Sequence, residues 1–175
     1  QLQWIVDAYS LVFAGLLLAA GSIGDRFGRK GALQAGLGIF AAMSVLAAIS
    51  GSAQQLIAAR ALMGIGAALV FPATLAILTN TFTDPSERAK AIGVWSAVSG
   101  LAVALGPLTG GLLLEHFWWG SVFLVNVPIA VAAIVLGRRL LPTSRDHHAG
   151  RPDPVGIVTS IAMITLLVWT VIEAP

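Results

Sequence analysis

Six runs of apolar residues occupy most of this chain, at 2–20, 32–49, 53–78, 89–114, 122–140 and 155–172. Crossing about 30 Å of hydrocarbon at about 1.5 Å per residue takes about 20 residues, so each run is long enough to span a bilayer as a helix. None of them alternates apolar with polar positions, which argues against strands. Glycine and alanine recur within them, and small residues let helix backbones approach closely in lipid. Composition points the same way: of 175 residues 57% are hydrophobic and 10% charged, with a mean hydropathy of +0.89. A soluble domain of this size could bury a core, but its surface normally draws on about 25% charged residues. The expected fold class is therefore an all-α membrane protein.

The connections alternate in character. The first two runs are joined by GSIGDRFGRKGAL, which carries Arg26, Arg29 and Lys30, and the next connection, Ser50–Gly51–Ser52, is uncharged. TNTFTDPSERAK brings Arg88 and Lys90, EHFWWGS has no lysine or arginine, and Arg138, Arg139, Arg145 and Arg151 follow the fifth run. All basic residues of the connections thus fall on one side, which the positive-inside rule makes cytoplasmic. The chain then starts and ends outside, with Trp4, Trp118 and Trp119 at the outer interface. Residues 141–154, LPTSRDHHAGRPDP, read as a cytoplasmic linker. Both ends look cut, as in a piece of a longer membrane protein. There is no cysteine, so disulfides and thiol chemistry are excluded.

Three stretches carry more than topology. GSIGDRFGRKGAL resembles the cytoplasmic signature of the major facilitator superfamily, through Gly21, Asp25, Arg26, Gly28, Arg29 and Lys30. LIAARALMGIGAA is similar to the fourth-helix motif of that family, with Arg60, Gly64, Gly66 and Ala68. GLAVALGPLTGG is similar to its fifth-helix antiport motif, with Gly100, Gly106, Pro107, Gly110 and Gly111. QWIVDAYSL and WWGSVFLVNVP, with Asn126 and Pro128, resemble the fourteen-helix drug:proton antiporter branch. On that resemblance the chain is a partial major facilitator helix bundle. Residues 1–140 would hold helices two to six and residues 155–172 an additional helix, without the first helix and the second half.

Each stretch also has a reading from its own chemistry. Asp25 stands at a helix end, and carboxylates favour helix N-termini; the resemblance implies that it caps a neighbouring helix or pairs with a basic residue across the bundle. The resemblance makes this group a conformational latch; the plainer alternative is charges that only fix topology. Arg26, Arg29 and Lys30 would meet acids or lipid phosphates, and Gly28 suits a tight turn. Arg60 lies about seven residues, or ~10 Å, inside its helix, where an arginine is costly and faces a cavity or partner. The resemblance links it to proton transfer. Because it stays protonated, its role would be to tune a nearby acid; the alternative is a side chain snorkelling outward. Gly64 and Ala68 clear space on its side, and Met63 stands where the family often has glutamine.

Asp7, near the outer end of the first helix, could titrate during transport or attract a cationic substrate, alone or paired with Arg60. It could equally be a wetted interfacial residue. Ala102, Gly106 and Gly110 form a small-residue face for close packing. Pro107 and Pro72 favour kinks. The resemblance makes the fifth-helix motif a seal against proton leak.

The expected function is proton-coupled efflux of lipophilic, often cationic drugs across a bacterial cytoplasmic membrane, by alternating access and without enzymatic chemistry. Export of an endogenous metabolite, lipid or antibiotic is the alternative, as is a receptor or scaffold that no longer transports. Expected partners are protons, lipophilic or cationic small molecules, membrane lipids and the remainder of the chain, with no nucleic acid. No cofactor is expected, since no nucleotide-binding glycine pattern is present. His147 and His148 are weak candidates for metal.

Overall fold

A computed structural model describes residues 2–141 and 154–173, which form seven helices. These are α1 (Leu2–Phe27), α2 (Arg29–Ala48), α3 (Ala53–Thr81), α4 (Pro85–His116), α5 (Ser121–Leu124), α6 (Asn126–Leu140) and α7 (Pro154–Glu173), with no strand among the described residues. Five helical stretches are long and apolar enough to cross a membrane: Gln3–Arg26, Arg29–Ala48, Ala53–Thr81, Pro85–His116 and Ser121–Leu140. The chain is an all-α membrane bundle, as its apolar runs predict. His147, His148 and nearly all of the expected linker lie outside the described residues.

Helix ends differ from the apolar runs in an instructive way. α1 continues through the charged stretch to Phe27, and only Gly28 separates it from α2. Gly28 has φ 109°, in the left-handed region that L side chains rarely adopt, so the expected loop is a one-residue turn. α4 starts at Pro85, ahead of the apolar run, because Asp84 accepts hydrogen bonds from the backbone N–H of Ser86 and Glu87 at 2.9 and 3.0 Å. An aspartate cap followed by proline at the first helical position is a strong start signal. Ser52 caps α3 in the same manner, accepting from Gln55 N–H at 3.3 Å. Apolarity marks the bilayer, whereas caps and glycine mark where the hydrogen-bond ladder stops.

α3 is the centre of the packing, flanked by α1 and α2. Glycine permits both crossings. A Cβ at Gly64 would lie 2.7 Å from the Tyr9 carbonyl oxygen, and a Cβ at Gly36 would lie 2.7 Å from that of Gly66. Two small cores result. Ala47, Ala59 and Met63 pack with Tyr9, Phe40 and Phe123, while Ala32, Leu33, Ala73 and Ile77 pack with Leu37, Val70 and Leu141. α6 lies on α2, and α7 lies on α1 through Trp4 and Trp169, whose rings are 5.3 Å apart.

α4 is the outlier. None of its residues is buried, and among the described residues it touches only α3 and α5. A Cβ at Gly100, Gly106, Gly110 or Gly111 would meet nothing within 4 Å. The close packing expected on this face is therefore not made by the described residues, and α4 runs as one helix with Pro107 inside it.

Candidate functional site: a buried arginine and a basic turn

At the basic end of the bundle, the α1–α2 turn organises the charges. Asp25, in the last turn of α1, accepts from Arg29 Nε at 2.9 Å and pairs with its Nη2 at 2.9 Å. The two are four residues apart, so the carboxylate meets the next helix of its own hairpin rather than a distant element. Arg29 is 15% exposed and Asp25 45%, which leaves the acid with water access. Gly21 lies one turn earlier, where an added Cβ would sit 3.7 Å from the Pro72 Cβ of α3. Lys30 turns elsewhere: its Nζ donates to the carbonyls of Arg138 and Leu141 at 3.0 and 2.7 Å. Cations suit a helix C-terminus, where carbonyls lack intrahelical partners. Arg138 Nε donates to Gln34 Oε1 at 3.3 Å, and Arg26 is exposed in the final turn of α1.

Near the opposite end, Arg60 points from α3 toward α1. Its Nε donates to the Ile5 carbonyl at 2.9 Å, and its guanidinium carbon lies 4.7 Å from the centre of the Tyr9 ring. Ile5 and Tyr9 are one turn apart, so a single face of α1 supplies both contacts. Gly64 makes this possible one turn further along α3, by letting α3 press against the Tyr9 backbone. Ala68, fully buried, continues the close approach. Met63 is 1% exposed and packs among Tyr9 and Phe40, a purely apolar role.

Asp7 does not join this arrangement. It lies about 200° around α1 from both Ile5 and Tyr9, and its Oδ2 is buried with no hydrogen-bond partner among the described residues. The Asp7–Arg60 pair entertained from sequence is therefore absent here. Below Tyr9 the aromatic contacts continue through Phe13 and Phe71 to Trp95 on α4.

The structure thus gathers the charged turn at one end and Arg60, Gly64 and Ala68 near the other, and leaves Gly100–Gly111 on an open face. Sequence reasoning passed over Tyr9, although it is the chain's one tyrosine and stands one turn from Ile5. It also passed over Gly36 and Lys30's pairing with α6. Among the described residues no group of acids and histidines could hold a metal ion.

An antiparallel bundle of membrane-crossing helices, with an arginine held inside it and a charged turn at one end, defines a polytopic helical membrane protein built around interior polar contacts. The chain belongs to the Major Facilitator Superfamily, whose sequence model it matches over residues 1–172. It is 52% identical over 168 residues to the multidrug efflux pump LfrA of Mycolicibacterium smegmatis, covering 96% of this chain and 33% of that protein. It is 46% identical over 175 residues to the methyl viologen resistance protein SmvA of Salmonella typhimurium, covering 99% and 34%. The tetracenomycin C resistance and export protein of Streptomyces glaucescens is 40% identical over 176 aligned positions, covering 100% and 32%. The chain therefore spans about a third of the length of these relatives. In fold it resembles the crystal structure of a peptide transporter (POT) with sulfate, at a TM-score of 0.67 and 18% identity, over 99% of this chain and 37% of that one.

Proposed function

We propose that this chain is part of a proton-coupled exporter of lipophilic, often cationic compounds in a bacterial cytoplasmic membrane. The observation that carries the reading is Arg60, a permanent cation held inside the bundle by the Ile5 carbonyl and the Tyr9 ring. An interior arginine is costly in lipid and is retained for a pathway or a proton relay. The likeness to an efflux pump and to a methyl viologen resistance protein supports cationic cargo.

In this reading the protein is a carrier rather than an enzyme. Asp7, with a buried unpartnered oxygen, is a proton-binding candidate, and Arg60 sets the electrostatics of the pathway. The Gly21–Lys30 turn acts as the latch between outward and inward states. Gly100, Gly106, Gly110 and Gly111 form the face on which the remainder of the chain closes, with Pro107 shaping the helix. Alternating access then exchanges protons moving inward for cargo moving outward, as rocking of helix bundles does in secondary transporters. The likeness to a tetracenomycin C resistance and export protein also agrees with the alternative that the cargo is a metabolite or antibiotic, handled by the same machinery.

The test uses the full-length protein in cells loaded with ethidium. Extrusion that stops when the proton gradient is dissipated supports the proposal, and extrusion that persists without any ion gradient refutes it. Arg60→Ala is expected to insert normally and to lose most proton-driven extrusion.

A further inference from the structure

Arg60 heads a series of aromatic rings rather than a cluster of acids. Tyr9 stacks on Phe13 with centroids 6.0 Å apart and 2° between planes. Phe13 meets Phe71 edge-on at 6.0 Å, and Phe71 meets Trp95 at 5.2 Å. The four rings come from α1, α3 and α4 and border a cleft of about 290 Å³, into which Thr74 and Ser99 also face. A second cleft of about 560 Å³, closer to the basic end, shares Trp95 and Ser99 with the first. Trp95 thus stands at the junction of two apolar spaces at different depths.

The cleft and the arginine are on the same side of α3. Arg60, Ala67, Phe71 and Thr74 recur at intervals of seven, four and three, which keeps them within about 60° of one another around the helix. Tyr9 belongs to both sites, lining the cleft and carrying the guanidinium 4.7 Å above its ring. No carboxylate among the described residues forms an ion pair with Arg60. Its charge is answered by a neutral carbonyl and a π-face, and a cation–π contact is modest enough to be exchanged.

We propose that the Tyr9 ring is a seat shared by two cations. Arg60 occupies it in the resting site, and a flat lipophilic cation that climbs from Trp95 through Phe71 and Phe13 takes the ring and displaces the guanidinium. The idea rests on the transport reading for its cargo, and adds the residue at which cargo and Arg60 compete. Displaced from the ring, Arg60 keeps its bond to the Ile5 carbonyl, so its charge swings without leaving the site. Linkage is reciprocal: whatever tightens Arg60 on Tyr9 must weaken cation binding, and the converse.

The experiment measures binding to the full-length protein in lipid nanodiscs by fluorescence titration, with ethidium as a flat cation and Nile red as a flat neutral probe. Removing the resident cation in Arg60→Met is expected to tighten ethidium binding by about threefold or more, since the competitor for the ring is gone. Removing the ring in Tyr9→Leu is expected to lower the ratio of ethidium to Nile red affinity by about tenfold, with Tyr9→Phe restoring most of it. An ethidium affinity that is unchanged or weaker in a folded Arg60→Met protein overturns the shared seat. If Arg60→Met does not fold, equal losses in Tyr9→Leu and Tyr9→Phe overturn it, as does wild-type protein that binds no ethidium. The expected binding pattern in a protein that extrudes nothing under a proton gradient overturns the transport reading alone.

Discussion

Lys30 closes the last turn of α6 by donating to the Leu141 carbonyl at 2.7 Å, across a separation of 111 residues. The same ammonium also holds the Arg138 carbonyl, so one side chain from the charged turn anchors the helix that leads into the linker. A hydrogen bond with a charged donor contributes about 1.5–3 kcal/mol, less where water competes. Lys30→Met in the full-length protein is expected to lower stability by about 1 kcal/mol, read as a fall in the thermal midpoint in detergent. Lys30→Arg should recover part of the loss, and equal stability of Lys30→Met and wild type would show that the contact contributes nothing.

Gly64→Ala is expected to be far more damaging than its size suggests. The new methyl would stand 2.7 Å from the Tyr9 carbonyl oxygen and 3.1 Å from Val12 Cβ, and overpacking of this kind costs about 1–3 kcal/mol. Gly38→Ala is the control, since an added Cβ there meets nothing within 4 Å and alanine favours helix. Reduced yield of folded protein for the first and not the second is the expected contrast; similar yields would remove the tight crossing as a constraint.

Asp25→Asn separates stability from cycling. A pair across the turn whose acid is still 45% exposed contributes at most about 1 kcal/mol, so the thermal midpoint should move little. Extrusion is expected to fall severalfold while ethidium affinity stays near wild type. Lost affinity with intact extrusion would contradict a latch.

Asp7→Asn should leave the protein as stable as wild type or more so. The substitution removes an ionisable group whose Oδ2 lies buried without a partner among the described residues, and ionisable groups within a membrane are costly. Extrusion is expected to lose its dependence on the proton gradient. A variant that extrudes with unaltered gradient dependence would take Asp7 out of the proton pathway.

What could be read from the sequence follows from how local the physics is. Long apolar runs fixed the helices because bilayer thickness imposes a length on every one of them. Their ends were misplaced at Gly21–Phe27 and at Pro85, where caps and a single positive-φ glycine decide, not apolarity. Gly64 was legible because it repeats with Arg60 and Ala68 along one helix. Gly36 was not, since a glycine in an apolar run carries no mark of which neighbour crosses it. The partners of Arg60 are a backbone carbonyl and a ring on another helix, and neither is announced by charge. Asp7 drew attention through charge, yet counting residues around α1 places it opposite Ile5 and Tyr9.

Arg60 is tied to the main chain at Ile5, not to that residue's side chain. Every amino acid brings the same carbonyl to that place, so position 5 can drift between apolar residues without loosening the tie. A search for compensating substitutions would find Arg60 with no companion at that position. The anchorage is invisible to comparative statistics because it was never encoded in a side chain.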